Sequence, residues 1–310
     1  MVTWSGVFPA VTTKLHPDGA LDLAETQRSI ERLVDGGVSG VIVLPMLGEN
    51  ALMSRQERET VVRGAKEVVQ GRVPVLSGLA CISTADAISG ARDYERWGAE
   101  GLMAFPSLGY RTDPAETAGW FRAIGGASGL PIMIYNNPGA YGVDVGPETL
   151  QLLVDVPTIV CVKEECGDVR RVTDLFNALG DRFLVFCGLD DLILESIAAG
   201  VTGWVSGMAN VWPAECVELF DLCTRGEFEV ARDLCRILTP AFHLDAHAKL
   251  VQHIKLAEHL VYGAPETTRA PRLALTGSER DRVVHIIEET KRALARRALE
   301  RATVRTLAPA

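Results

Sequence analysis

The sequence contains no hydrophobic run long enough to cross a membrane, although 47% of its 310 residues are hydrophobic. A transmembrane helix needs roughly 20 consecutive apolar residues, and the apolar stretches here are all much shorter. The first residues, MVTWSGVFPAVTT, lack the basic start and long apolar stretch of a secretion signal. We therefore expect a cytoplasmic protein that has no membrane partner.

An excess of positive charge is also missing. The chain carries 31 Lys and Arg against 40 Asp and Glu, which gives a formal net charge of −9. Nucleic-acid-binding proteins usually present a basic surface, so we expect no nucleic-acid partner. Basic residues near the C-terminus alternate with Glu and Ala at helical spacing, which indicates a solvated helix.

Metal and cofactor motifs are absent as well. None of the seven cysteines belongs to a CxxC pair, and several lie in apolar runs, which is typical of reduced, buried thiols. Among the six histidines, only His243 and His247 have an i, i+4 relation, and no metalloprotease motif accompanies them. A phosphate-binding loop, a nicotinamide fingerprint and a serine nucleophile elbow are missing too. We expect neither a metal nor a cofactor.

What the chain does contain is a repeated alternation of short apolar runs with amphipathic segments, which indicates parallel β-α units. Eight such units favour a closed barrel over an open doubly wound sheet, and no dinucleotide fingerprint follows the first strand. Helix start signals stand at Ser54, Ser83 and Asp113. The predicted strands are 6–13, 40–45, 73–79, 101–106, 131–137, 159–165, 183–189 and 203–208.

After residue 208 the β-α rhythm stops, and the rest of the chain has helical patterns at 213–224, 227–238, 247–260 and 279–300, with breaks at HLDAH and RAPRLALTG. The sequence thus predicts a (β/α)8 TIM barrel over residues 1–225. A C-terminal helical segment, residues 226–310, is expected to pack on the barrel.

Lys163 stands at the end of the sixth predicted strand, directly after four apolar residues. It is in phase with residues 159 and 161, so its ammonium faces the apolar barrel interior if they do. Desolvation there would lower the pKa of the lysine and provide a neutral amine for Schiff-base chemistry with a carbonyl substrate. The alternative is a lysine whose buried stem carries its head to water, Glu164 or Glu165.

Tyr135 ends the fifth predicted strand, one unit before Lys163. Neighbouring strands lie about 5 Å apart, so the phenol and the amine would converge on one substrate carbon. A phenol in that place can carry the protons of carbinolamine formation and dehydration. The alternative is a core tyrosine with a satisfied hydroxyl. We therefore predict that Lys163 and Tyr135 are the catalytic residues.

The loop after the second strand, PMLGEN, is a candidate for binding substrate through Met46, Leu47 and Gly48. A tight turn at the glycine can expose N–H groups that hold a carboxylate. Glu49 and Asn50 are expected mainly to hold the loop.

Two later strand ends add further candidates. CGLDD, after the seventh strand, supplies Gly188, and either Asp190 or Asp191 is expected to cap the next helix. The eighth strand brings Val205 and Ser206 to the same mouth. We expect Gly188, Val205 and Ser206 to line the pocket.

Four motifs of the chain carry a family resemblance: GE in the loop after strand two, YNxP after strand five, KE…GD around Lys163 and G…DD after strand seven. Through them the chain resembles the dihydrodipicolinate synthase / N-acetylneuraminate lyase family of class I aldolases. The resemblance covers nearly the whole chain. It implies a Schiff base between Lys163 and a 2-oxo acid, and proton relay by Tyr135. It also implies substrate contact by Tyr110 in the loop after strand four, and a homotetramer built from dimers.

Two positions depart from the family's pattern. The family's loop after strand two usually carries hydroxyls that bind substrate and continue the proton relay, whereas Met46 and Leu47 have none. Lysine-pathway synthases also place an arginine two residues after the YNxP proline, to grip the carboxylate of a second substrate. That position is Ala140, which argues against dihydrodipicolinate synthesis itself.

Within the family, HLDAH…LVQHIKLAE and RAPRLAL look similar to bacterial 1-pyrroline-4-hydroxy-2-carboxylate deaminases. This similarity implies that Lys163 opens a cyclic imine, with loss of water and ammonia, and it is our first expectation for the function. The alternatives are a pyruvate-dependent aldolase similar to 4-hydroxy-tetrahydrodipicolinate synthase, and a non-catalytic binding relative. Retention of both Lys163 and Tyr135 favours an enzyme.

Overall fold

The computed structural model describes residues 2–307, with side chains up to residue 301. Its strands are short, and most of their residues are buried, as expected for strands with helices on one side and a packed barrel on the other. The strands are β1 (Gly6–Pro9), β2 (Val41–Val43), β3 (Val75–Leu79), β4 (Gly101–Ala104), β5 (Ile132–Asn136), β6 (Ile159–Glu164), β7 (Leu184–Cys187) and β8 (Gly203–Ser206).

Parallel hydrogen bonding joins these strands in the order β1-β8-β7-β6-β5-β4-β3-β2. The two ends of the series meet through a bridge between Ala10 and Ile42, where Val11 N donates to Ile42 O at 2.9 Å. The sheet is therefore the predicted (β/α)8 TIM barrel and not an open doubly wound sheet. Closure brings the carboxyl ends of all eight strands to one mouth.

The helices between the strands begin where the sequence predicts. Ser54, Ser83 and Asp113 each accept a hydrogen bond from the backbone N–H three residues ahead, and Ser54 and Asp113 form capping boxes. The helices are α1 (Leu23–Asp35), α2 (Arg55–Val69), α3 (Thr84–Trp97), α4 (Pro114–Gly125), α5 (Pro138–Tyr141), α6 (Pro147–Gln151), α7 (Arg170–Leu179) and α8 (Ile193–Ala198).

Aromatic rings fill the interior of the barrel. Phe8 and Phe186 meet edge to face with ring centroids 5.4 Å apart, and both are fully buried. Gly203 lies beside them, where an added Cβ would collide with the Phe186 ring. The barrel interior at this level is a packed core rather than a pore.

The C-terminal part is helical, as predicted, and consists of α9 (Pro213–Thr224), α10 (Phe228–Asp245), α11 (Leu250–Tyr262) and α12 (Gly277–Leu307). Helix α10 is longer than the predicted 227–238, because Ala241, Phe242 and Leu244 remain buried and continue its apolar face past Pro240. The division of the chain at residue 225 stays a prediction. Within residues 2–307, no helix combines the length and the apolar character needed to span a membrane.

Two buried ion pairs connect α11 to the barrel. Lys255 Nζ lies 2.6 Å from Glu49 Oε1, and Lys14 Nζ lies 2.5 Å from Glu258 Oε1. All four side chains are at most 1% exposed. Because an unpaired buried charge is costly, these contacts tie α11 to the loop after β2 and to the segment after β1.

Candidate active site

Lys163 is the fifth residue of β6, and its register partners are Tyr135 on β5 and Phe186 on β7. Its side chain is only 8% exposed. The ammonium nitrogen lies 3.9 Å from the centre of the Tyr135 ring. The structure thus brings the two predicted catalytic residues together at the barrel mouth.

The sequence predicted an ammonium held in the apolar interior of the barrel. The structure differs, because a carboxylate lies beside the ammonium. Glu165 Oε2 lies 2.7 Å from Lys163 Nζ, and the glutamate side chain is 12% exposed. Pairing with Glu164 or Glu165 was the structural alternative for the lysine, and the contact with Glu165 is present. It does not exclude catalysis, since transfer of one proton turns such a pair into a neutral amine and a carboxylic acid.

Tyr135 belongs to a cluster of three rings. Phe105, Tyr135 and Tyr141 meet one another edge to face, with centroid separations from 5.0 to 5.5 Å. Burial, followed by the nearby charge of Glu165, raises the pKa of Tyr135 well above its usual value. The phenol is therefore protonated at neutral pH and is available as a proton donor.

Asn137 connects the phenol to the carboxylate. Its Nδ2 donates to Tyr135 Oη at 3.1 Å and to Glu165 Oε1 at 2.8 Å. Its Oδ1 accepts from Ala140 N at 2.9 Å and caps α5, which holds the amide in place. Lys163, Glu165, Asn137 and Tyr135 thus form a continuous polar chain.

Gly188, predicted to contact substrate, makes room for Glu165. An added Cβ at Gly188 would lie 2.7 Å from Glu165 Cβ and 2.9 Å from Glu164 O. Glycine is required here by this close approach.

Glu164, in contrast, supports the strand ends. Its Oε2 accepts from Asn136 Nδ2 at 2.9 Å, and its Oε1 accepts from Cys166 N at 2.7 Å. Asn136 Oδ1 in turn accepts from Val145 N at 2.7 Å. The YN and KE motifs are therefore joined through Asn136 and Glu164, which fixes Tyr135 and Lys163 side by side.

Asp190 and Asp191 do not cap a helix, so that prediction was wrong. The buried Asp190 accepts from Trp204 Nε1 at 2.9 Å and from Met208 N at 2.7 Å. Asp191 Oδ2 lies 2.8 Å from His243 Nδ1. Burial dominates and raises the pKa of Asp190 to about 7. These partners come from β8, the turn after it and α10, so local sequence could not indicate them.

Asp245, at the end of α10, is a residue that sequence reasoning missed. An added Cβ at Gly207 would collide with its carboxylate, which places Asp245 against the turn after β8. Burial, followed by the charges of Asp190 and Glu165, raises the pKa of Asp245 well above its usual value. In the sequence, Asp245 is visible only as the acidic residue of HLDAH. Its place at the barrel mouth depends on how α10 packs, which the local sequence does not indicate.

The loop after β2 is held by tight packing. Leu47 is buried, and an added Cβ at Gly48 would lie 2.8 Å from Leu44 Cα. Glu49 is engaged in the buried ion pair with α11, while Asn50 Nδ2 donates to a backbone carbonyl at 2.9 Å and to a tyrosine hydroxyl at 3.1 Å. Both residues hold the loop, as expected.

A cavity of about 240 Å³ adjoins the ring cluster. Met46, Phe105, Tyr141 and Arg272 form part of its wall, and Arg272 is the only cation among the described residues that line it. Arg272 Nη1 is also 3.4 Å from Glu49 Oε2. A carboxylate in this cavity would meet an arginine within a largely apolar wall.

For the other predicted binding residues, Tyr110, Val205 and Ser206, the structure gives no hydrogen bond or ring contact with Lys163 among the described residues. Tyr110 is 62% exposed on the loop after β4. Val205 and Ser206 are buried in β8, and Ser206 Oγ accepts from Ala209 N at 2.9 Å, so this hydroxyl supports the following turn. Substrate contact by these residues stays a prediction.

The histidines singled out from the sequence do not converge. His243 pairs with Asp191, whereas the ring of His247 lies 4.7 Å from that of His253. Across the described part of the chain, no group of three or more His, Cys, Asp and Glu side chains could hold a metal ion.

A family model described as the dihydrodipicolinate synthetase family matches residues 3–290. The 4-hydroxy-tetrahydrodipicolinate synthase of Xanthomonas campestris pv. campestris is 37% identical over 227 residues, which are 73% of this chain and 75% of that protein. The synthase of the same name from Exiguobacterium sibiricum is 34% identical over 237 residues, 76% of this chain and 81% of that protein.

Solved structures agree with these relatives. The 4-hydroxy-tetrahydrodipicolinate synthase of Methylacidiphilum fumariolicum has a TM-score of 0.91 and 28% identity, covering 95% of this chain and 98% of that one. The dihydrodipicolinate synthase of Thermotoga maritima has a TM-score of 0.88 and 27% identity, covering 93% and 99%.

A closed (β/α)8 barrel with a buried lysine near the end of its sixth strand, beside a tyrosine of the fifth, defines a class I aldolase of the Schiff-base type. The family match over most of the chain makes the assignment specific. This chain belongs to the dihydrodipicolinate synthetase family of lyases.

Proposed function

We propose that this chain forms a Schiff base between Lys163 and the ketone carbon of a small 2-oxo acid such as pyruvate. The observation that carries the proposal is the position of Lys163 Nζ, 2.7 Å from Glu165 and 3.9 Å from the centre of the Tyr135 ring. The amine adds to the ketone, water leaves, and the resulting iminium withdraws electrons from the neighbouring carbon. That carbon can then form or break a bond, while Tyr135 exchanges protons with the substrate.

Arg272 is the group that we propose for one substrate carboxylate. It is the cation of the cavity beside Tyr141, and guanidinium is suited to bidentate binding of carboxylate. Met46 and Phe105 supply apolar surface in the same wall. A 2-oxo acid has one group for each feature: a ketone for Lys163 and a carboxylate for Arg272.

The partner reaction is proposed to be aldol-type condensation or cleavage. The relatives reported above are synthases by name, so they support the pyruvate-dependent alternative better than the deaminase that was our first expectation. Ala140, two residues after the YNxP proline, offers no charge to a second carboxylate. We therefore propose an acceptor that differs from that of the lysine-pathway synthases.

Borohydride trapping tests the proposal directly. The protein is incubated with pyruvate, reduced, and examined by intact mass, and the expected result is one reduced adduct per chain. Lys163→Ala should abolish the adduct, whereas Lys249→Ala, which removes a half-exposed surface lysine, should leave it unchanged. An adduct that persists in Lys163→Ala would contradict the proposal.

Ammonia measurement separates the two reaction types. With the hydroxylated pyrroline carboxylate as substrate, a deaminase releases ammonia in step with substrate loss. An aldolase instead releases or consumes pyruvate in the presence of a hydroxylated 2-oxo acid or an aldehyde. We expect pyruvate exchange without ammonia, and stoichiometric ammonia would restore the deaminase interpretation.

We also propose a cytoplasmic homo-oligomer, either a dimer or a tetramer. Exposed Ile82, Leu108 and Tyr110 support a subunit contact near the ends of β3 and β4, and the seven cysteines are free thiols, which suits a reducing compartment. Light scattering of the purified protein measures the oligomeric state, and a monomer at micromolar concentration would exclude the oligomer.

A further inference from the structure

Schiff-base formation needs a base that takes a proton from the lysine ammonium. The loop after β2 supplies no hydroxyl, since Met46 and Leu47 occupy it. In the adjoining segment, the Thr13 hydroxyl donates to Gly48 O at 2.9 Å and the Thr12 hydroxyl donates to Glu258 at 2.7 Å, so both are engaged elsewhere. The phenol of Tyr135 carries its own proton at neutral pH, so it is a donor before it can accept.

Glu165 is placed to act as that base, since it is in ion-pair contact with Lys163, although its Oε2 makes no hydrogen bond among the described residues. Among the described residues, it is the carboxylate that contacts Lys163 Nζ, at 2.7 Å through Oε2. Its second oxygen accepts from Asn137 Nδ2 at 2.8 Å, and the same amide nitrogen holds Tyr135 Oη at 3.1 Å. The Glu165 side chain therefore contacts the nitrogen of Lys163 directly and is connected to the Tyr135 hydroxyl through the amide of Asn137.

The backbone is shaped around this side chain. The space that Glu165 occupies exists because residue 188 is glycine, as an added Cβ would lie 2.7 Å from Glu165 Cβ and 3.0 Å from Oε2. Glu164, the preceding residue, is bonded to Asn136 and to Cys166 N and does not compete for the lysine. The two adjacent glutamates are thus divided between support of the strands and contact with the amine.

We propose that Glu165 is the catalytic base of Schiff-base formation in this protein; the inference rests on the proposed function. Glu165 takes one proton from the Lys163 ammonium, and the neutral amine adds to the ketone carbon. The carboxylic acid then gives that proton to the former ketone oxygen, which yields a carbinolamine. A second proton passes from the nitrogen through Glu165 to the hydroxyl, water leaves, and a protonated imine remains.

The proton balance of this sequence is closed. A ketone and one ammonium are converted into one iminium and one water, and Glu165 is an ionised carboxylate both before and after. No external oxidant, reductant or metal takes part. A bond forms between the lysine nitrogen and the ketone carbon, the bond from that carbon to its oxygen breaks as water leaves, and every other change is a proton transfer.

Several titratable groups face Glu165 from the elements packed around it. Lys163 lies on β6 itself, Tyr135 on β5, Tyr141 on α5, Cys187 on β7 and Asp245 at the end of α10. Of these, only the lysine carries positive charge. Lys163 is therefore the cation that pairs with Glu165 at this mouth.

The test is the rate at which the borohydride-trapped pyruvate adduct accumulates. Glu165→Gln keeps the size of the side chain but cannot accept a proton, and it should slow adduct formation about 10²- to 10⁴-fold near pH 7. Asp168→Asn is the matched control, because it removes the same charge from an exposed carboxylate three positions along that pairs with Arg170. The control should form the adduct at the rate of the unmodified protein.

Chemical rescue separates a base from a merely structural residue. Glu165→Ala leaves space beside Lys163 for a small carboxylate, so added formate should restore part of the rate and should not accelerate Glu165→Gln. The slow rate of Glu165→Gln should also rise with pH, as hydroxide removes the ammonium proton instead.

The outcomes are distinguishable. An unmodified protein that forms no adduct overturns the proposed function and this inference together. An adduct that forms at the same rate in Glu165→Gln overturns the inference alone. A slowed variant with neither formate rescue nor a changed pH profile would assign Glu165 to positioning and would also overturn it.

Discussion

At the scale of single residues, the chemistry that we propose for the barrel mouth depends on a few atoms. Lys163 supplies the nitrogen, Glu165 lies against it, and the Tyr135 hydroxyl is reached through Asn137. The side chains of Lys163, Glu165 and Tyr135 are largely buried, so their contacts are mainly with one another and with the surrounding strand ends.

Tyr135→Phe tests the role of the hydroxyl. The substitution keeps the edge-to-face ring contacts with Phe105 and Tyr141 and removes only the proton donor. Turnover should fall about 10²- to 10⁴-fold, while the midpoint of thermal unfolding changes little. Tyr262→Phe is the control and should retain activity, because the Tyr262 hydroxyl on α11 donates to Val211 O in the turn between β8 and α9. Turnover of Tyr135→Phe within twofold of the unmodified protein would contradict a proton-relay role.

At the scale of elements, the ends of neighbouring strands hold one another in place. Asn136 at the end of β5 binds Glu164 at the end of β6, and Asp190 after β7 binds Trp204 in β8. These bonds join polar groups that would otherwise be buried without partners. The mouth is therefore a connected rim, and its buried carboxyls make it sensitive to pH.

Asp190 gives a pH dependence whose sign can be stated. Burial raises its pKa from 3.8 to about 7, so the folded chain binds a proton that the unfolded chain has released between those two values. Its contribution to stability is fully present below about pH 4 and is lost as pH rises through about 7. The free energy of unfolding should fall between about pH 4 and pH 7, with at most about 4 kcal/mol from this group.

Urea unfolding at a series of pH values measures this effect. Asp190→Asn should have a flatter pH profile, because the titrating group is gone, whereas Asp168→Asn should keep the original slope. If Asp190→Asn and the unmodified protein have the same slope, the pH dependence belongs to another group. Asp245 is the first candidate, because the charge of Asp190 contributes to its raised pKa.

At the scale of the whole molecule, the C-terminal helices are part of the site's construction. Helix α10 brings Asp245 to the mouth, and α11 holds the loop after β2 through Lys255 and Glu49. Arg272, from the segment between α11 and α12, reaches the cavity beside the rings. The barrel alone would therefore lack Asp245, Lys255 and Arg272.

Lys255→Met tests that construction. It leaves Glu49 buried without its main partner, which should lower the free energy of unfolding by about 3–5 kcal/mol. Adding Glu49→Gln removes the unpaired charge, so the double variant should recover most of the loss. Urea unfolding at pH 7 measures both, and a double variant as unstable as the single one would contradict the assignment of the cost to the buried charge.

The sequence alone determined the strand and helix rhythm, the barrel and the pair Lys163 and Tyr135. It could do so because apolar periodicity and caps such as Ser54 are local, and because strand ends of a closed barrel must share one mouth. It also predicted that Glu49 and Asn50 hold their loop. The function that it favoured first, a deaminase, came from similarity in the C-terminal segment and not from the site.

Only the tertiary structure decided which charged groups meet at that mouth. Sequence reasoning assigned Asp190 to a helix cap and passed over Asp245, because the partners of both lie far along the chain. It left water, Glu164 and Glu165 open as partners of the lysine head, whereas the structure places Glu165 against Lys163, Asn137 and Gly188 at once. The physical reason is that periodicity reports which face a residue takes, while the electrostatics of a site depend on distances of a few ångströms between elements that the chain connects only through the whole fold.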